Sequence, residues 1–149
     1  MDKKIKLSLF FLRISLGWIL LYAGVTKLLD PSWSAAGYLN NAQTFSGLYA
    51  WLASDQLLPI VNILNEWGLT LIGLSLVLGA FTRISSLAGA LLMLLYYFPA
   101  LNFPIANSHY YLIDYHIIFI IDLILLHFTE AGDFLVLDRM IKKISTNKN

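Results

Sequence analysis

The sequence predicts an all-α integral membrane protein: one domain over residues 1–149, folded as a four-helix bundle with both termini cytoplasmic. Short interfacial helices are expected in the outer loop between the first and second helices. Three observations lead there. The 149 residues are 58% hydrophobic and 13% charged, where soluble domains carry about a quarter charged residues. Four stretches approach the ~20 apolar residues that a bilayer crossing requires, at roughly 7–29, 59–81, 84–103 and 111–129. The cations fall almost entirely on one side of those stretches.

The first stretch follows Lys3, Lys4 and Lys6, a charged start like that of a signal peptide. A cleaved signal has a shorter apolar core and a small-residue exit. This one runs from Leu7 to Leu29, contains Arg13 and has no such exit, so it reads as a retained first helix. The second stretch is bounded by Pro59 and Arg83, and the third carries no charge from Ile84 to Phe103 and meets Pro99 and Pro104. None alternates as the strands of a membrane β-barrel do. Lys3, Lys4, Lys6, Arg83, Arg139, Lys142, Lys143 and Lys148 share one side, while the connections 30–58 and 104–110 hold no Lys or Arg. The positive-inside tendency then places the termini in the cytoplasm of a multi-pass protein of the cell membrane.

The 30–58 connection opens with Asp30-Pro31-Ser32, a helix-start signature. It continues through Trp33, Tyr38, Phe45, Tyr49 and Trp51 with breaks at Gly37 and Gly47. Aromatic residues at this density suit an interfacial belt or a lid over an outward-facing cavity. After the fourth stretch, Glu130 to Arg139 is a turn followed by a short apolar segment. Lys142 and Lys143 then suit the inner membrane surface.

Five ionisable residues lie inside apolar stretches: Arg13, Lys27, Glu66, Asp114 and Asp122. A charge at mid-bilayer costs at least ~2.5–3.5 kcal/mol, so such groups face a bundle interior and pair, or line a pathway. At about 100° per residue, Arg13, Gly17, Leu20, Gly24 and Lys27 share an arc of about 80°. Asn62, Glu66, Thr70, Gly73, Val77 and Ala80 form a second stripe. Glycines among polar residues let helix backbones approach closely in lipid. Depth, at ~1.5 Å per residue, predicts an inner structural pair Arg13–Asp122 and an outer cluster of Lys27, Glu66 and Asp114, the candidate catalytic groups. His116 and His127, eleven residues apart, share a face turned away from the aspartates and are offered as a partner surface. They lie ~16 Å apart along the axis, too far to hold one metal. No other helix supplies a histidine for haem, so neither metal nor haem is expected.

The chain has no cysteine, which excludes thiol, disulfide and iron–sulfur chemistry by its own residues. A net charge of +1 gives no reason to expect nucleic acid. No phosphate-binding Gly-rich loop, H-E-x-x-H, G-x-S-x-G or paired-cysteine spacing is present.

Leu12-Arg13-Ile14-Ser15-Leu16-Gly17-Trp18 and Tyr22-Ala23-Gly24-Val25-Thr26-Lys27-Leu28 resemble the first helix of the DoxX/DoxD-like membrane proteins. So do Glu66-Trp67-Gly68, Leu78-Gly79-Ala80-Phe81-Thr82-Arg83 and Gly132 to Asp138. The aromatic connection after Asp30 is most similar to the DoxD branch, which is associated with a thiosulfate:quinone oxidoreductase subunit. The resemblance implies four spans, a family-matched polar set of Arg13, Lys27, Glu66 and Arg83, and a membrane subunit of a quinone-linked redox system. Such a subunit would pass electrons from thiosulfate or a partner protein to quinone. The alternatives are a non-enzymatic scaffold or assembly factor for redox enzymes and, third, a small transporter. The expected partners are the bilayer and a second redox subunit or further copies of the chain.

Overall fold

A computed structural model describes residues 2–107 and 110–129; the expectations for residues 130–149 lie outside them. In chain order the elements are α1 (Lys3–Leu28), α2 (Ala36–Asn40), α3 (Ser46–Leu52), α4 (Leu58–Leu78), α5 (Thr82–Ala100), β1 (Ile105–Asn107), β2 (Tyr110–Tyr111) and α6 (Tyr115–Phe128). Three helices, α1, α4 and α5, are long and apolar enough to cross a membrane. The protein is therefore a multi-pass membrane protein. The fourth expected span is shorter, because residues up to Ile113 are not helical and α6 has 14 residues. The described residues are mostly helical, as expected; β1 and β2 add a small antiparallel sheet between α5 and α6.

α1 and α4 run antiparallel in close contact. A Cβ added at Gly17 would lie 2.9 Å from the Val77 amide nitrogen. Gly24 abuts Thr70, and Gly73 abuts the Leu21 backbone and the Gly17 carbonyl. Lipid tails are as apolar as leucine, so helices in a bilayer are held by close packing rather than by hydrophobic burial. Backbone approach at three glycines supplies that packing. The buried residues of α1 include Arg13, Gly17, Leu20 and Gly24, the face that the spacing predicts. On α4 the buried set is Asn65, Leu69, Gly73 and Leu76, rotated from the predicted stripe and sharing only Gly73 with it. α5 packs on α6, with Gly89 against Leu123. The core is completed by Leu16, Leu20, Leu69, Leu76, Met93, Leu123 and Leu126. Trp18, Tyr22, Ile63, Leu71, Leu91, Ile118 and Ile121 point outward, as a lipid-facing surface requires.

The α4–α5 turn is tight. Gly79 adopts φ 69°, the left-handed cap that glycine accepts without strain. The Ala80 amide donates to the Ser75 carbonyl over 3.0 Å. Ser75 Oγ bonds the Ala80 carbonyl and lies 2.6 Å from Ser85 Oγ.

At the other end, α2 and α3 are the short helices expected in the long connection. Asp30-Pro31-Ser32 starts neither. Asp30 instead accepts from the Ser32 amide at 3.0 Å and the Ser32 hydroxyl at 2.6 Å, closing a turn, and the first of the two begins at Ala36. Those two bonds hold the Asp30 carboxyl below its ordinary range. α2 and α3 lie across the ends of α4 and α5. The Ala35 amide donates to Asn62 Oδ1 over 2.9 Å, and Thr44 Oγ1 to the Leu101 carbonyl over 2.5 Å. Pro99, inside the last turn of α5, has no N–H for the Leu95 carbonyl four residues back. The Tyr49 hydroxyl donates to that carbonyl instead, over 3.0 Å.

Candidate functional site

Beneath α2 and α3 lies a cavity of about 480 Å³. Its walls are mainly aromatic and aliphatic, from Trp33, Leu39, Tyr49, Leu52, Val61, Leu64, Leu92 and Leu95. Polar groups enter from five helices: Lys27 of α1, Tyr38 of α2, Asn65 of α4, Tyr96 of α5 and His116 of α6, whose ring centroid lies 6.2 Å from that of Tyr96. A mostly apolar hollow of this size with a few convergent polar groups is the usual form of a small-molecule site.

Each polar group has an identifiable support. Lys27 Nζ donates to the Ala23 carbonyl over 3.2 Å and stands 5.2 Å from the centre of the Trp33 ring. That cation–π contact holds the partly buried ammonium over the ring. The Tyr96 hydroxyl donates to Asn65 Oδ1, and the Tyr38 hydroxyl to the Tyr96 carbonyl. Burial pushes the Tyr49 phenol up, so it stays a donor across the physiological range.

His116 is 6% exposed and Asp114 2%. Asp114 is the N-cap of α6: Oδ1 accepts from the His116 amide at 2.9 Å and from the Ile117 amide at 3.4 Å. Its second oxygen lies 2.7 Å from His116 Nδ1. One carboxylate thus caps the helix and fixes the imidazole ring. Tyr115 stacks beside that ring, with centroids 4.1 Å apart.

Several sequence expectations are revised. Arg13 is fully buried, but against Phe10 and the α4–α5 turn: a Cβ at Gly79 would meet its guanidinium at 2.6 Å. Among the described residues no ion pair joins Arg13 to half-buried Asp122. Matched depth was not enough, because α1 makes its long contact with α4 and touches α6 little. Of the outer cluster, Lys27 lines the cavity and Asp114 reaches it through His116, while the Glu66 carboxyl does not line it. The histidines do not form a common surface. His116 is buried next to Asp114, and His127 Nδ1 lies 2.9 Å from the Arg83 carbonyl at the opposite end of α6. Arg83 itself is exposed. Asn65, Tyr38 and Tyr96 were not anticipated as site residues. The usable signal was Asn65 itself, an uncharged polar residue three positions after Asn62 in an apolar helix.

No curated protein and no solved structure matches the chain. The sequence model of the DoxX family matches residues 8–101, from the first turns of α1 to the end of α5 and over more than half of the chain. The chain belongs to the DoxX family.

Proposed function

We propose that the protein is a membrane subunit of a quinone-linked redox system of the DoxD type and that the cavity is its quinone site. The observation that supports this reading is the cavity itself: aromatic and aliphatic walls, with Lys27, Asn65 and His116 as separate polar points. A quinone headgroup is a flat apolar ring with two oxygens, so it needs apolar walls and hydrogen-bonding groups near its ends. We place the bundle with four crossings of the cell membrane, α6 completing the fourth, both termini cytoplasmic and the cavity toward the outer face.

Reduction of quinone to quinol takes two electrons and two protons. The chain has no cysteine, so the donor's electrons reach quinone without passing through a thiol of this chain. Two thiosulfate ions supply them by joining into tetrathionate, or a partner subunit supplies them. Lys27 attracts an anionic donor and steadies negative charge on the ring oxygens. His116, backed by Asp114, is the group we assign to proton exchange, in place of Glu66.

The test is quinone extraction from the purified protein, followed by thiosulfate-dependent quinone reduction in native membranes. Retained quinone, and a rate that falls with Lys27→Met and His116→Phe, are the expected results. Protein that carries no quinone and membranes that show no such rate would turn the reading toward a scaffold for redox enzymes.

A further inference from the structure

Resting on the quinone reading, the geometry of Asp114 points to a preference that the site imposes: it holds the hydroxylated, reduced ring more tightly than the oxidised one. We infer that Asp114 is the positioning residue that sets this preference by fixing which nitrogen of His116 carries the proton.

A carboxylate only accepts hydrogen bonds, so the nitrogen 2.7 Å from Asp114 Oδ2 must be the protonated one. In the neutral ring Nδ1 therefore carries the hydrogen and Nε2 carries the lone pair. Nε2 makes no hydrogen bond to the described residues, and the His116 ring borders the cavity. It accepts a hydrogen bond from a ligand hydroxyl and repels the lone pairs of a carbonyl. Lys27 and the Asn65 amide donate to either kind of oxygen, so they do not discriminate. Of these three groups, only His116 separates quinol from quinone.

The size of the effect follows from leaving one buried acceptor without a partner when quinone binds, which is worth roughly tenfold in affinity. A tenfold preference for the reduced form raises the potential of the bound two-electron couple by about 30 mV. The site thereby makes its quinone a better acceptor of the donor's electrons.

Asp114→Asn reverses the tautomer without removing the cap. The Asp114 oxygen that accepts from the His116 and Ile117 amides is needed there, and asparagine is as good an N-cap as aspartate. Its amide oxygen must take that place, which turns the NH₂ group toward His116 Nδ1. Nδ1 then accepts, the hydrogen moves to Nε2, and the ring donates into the cavity.

The experiment measures the binding of decylubiquinone and of decylubiquinol to the full chain in detergent, without oxygen and in mildly alkaline buffer, for the wild type and Asp114→Asn. Quinol held about tenfold more tightly by the wild type, and a preference lost in Asp114→Asn, where Nε2–H donates to either kind of oxygen, is the expected result. His116→Phe serves as a second variant and should abolish the difference. If both forms bind equally to wild type and variant alike, the tautomer assignment is wrong while the quinone site stands. If neither form binds the wild type, the quinone reading falls and this inference falls with it.

Discussion

The α1–α4 seam and the cavity beneath α2 and α3 occupy neighbouring parts of the same two helices, yet they are built in opposite ways. Along the seam, Gly17, Gly24 and Gly73 bring one backbone against the other, and no space is left for a methyl group. Within about two turns of these glycines, Lys27 and Asn65 sit on the same two helices, but large side chains hold the walls apart and leave about 480 Å³. Small residues make the rigid half and aromatic residues the hollow half. A site that must hold a ligand in a fixed pose needs such a support, because small displacements of the walls disturb the alignment of polar groups.

Substitutions can break this contrast, beginning at the seam. Gly73→Ala drives a Cβ into the Leu21 backbone, which no side-chain rotation relieves. A loss of ~1–3 kcal/mol is expected, read as a lower Tm in detergent and reduced membrane yield. Next comes Gly79→Ala, which forces a φ of 69° on a residue with a Cβ and presses on the Arg13 guanidinium. The conformational part alone is ~1–2 kcal/mol, again read in Tm.

The cavity side should respond in binding rather than in folding. Lys27→Met keeps the length of the stem and removes the ammonium. Quinone affinity is expected to fall about tenfold while folding stability stays within ~0.5 kcal/mol of the wild type. A fall in Tm as large as that of Gly73→Ala would merge the two regions into one structural unit. Tyr49→Phe removes the hydroxyl that serves the Leu95 carbonyl, which Pro99 leaves without a helical donor. The cost is ~0.5–1.5 kcal/mol, localised as faster hydrogen exchange in α2 and α3. The smallest effect sharpens the comparison from the other direction. A Cβ at Gly68, also on α4, meets nothing within 4 Å. Gly68→Ala should therefore stabilise the protein by a few tenths of a kcal/mol to ~1 kcal/mol, opposite in sign to Gly73→Ala.

Much of the fold was legible because it follows from one-dimensional periodicity. The apolar stretches marked α1, α4 and α5 to within a few residues, and the stripe through Arg13, Gly17 and Gly24 marked the buried face of α1. The aromatic residues after Asp30 announced short helices, two of which form. The site was less legible. Asp114 was placed on a helical wheel, but its φ of −114° and ψ of −174° are extended, so rotation at 100° per residue does not reach it. Its side chain turns back onto His116, a contact between residues two apart that a helix would forbid. The family match ends at residue 101, before this pair, so that resemblance offers no guide to it.

The sequence by itself determined that the chain lives in lipid, where its helices lie and that Arg13 and Lys27 share the inward face of the first. Those properties depend on residue type and spacing along one chain. Only the tertiary structure decided that α1 lies against α4 rather than α6, so that Arg13 meets Gly79 and not Asp122. It also decided that Lys27, Asn65, Tyr96 and the Asp114-supported His116 surround one hollow. Adjacency and side-chain direction are set by which glycines let which backbones meet and by where a helix begins, and both belong to the packed bundle.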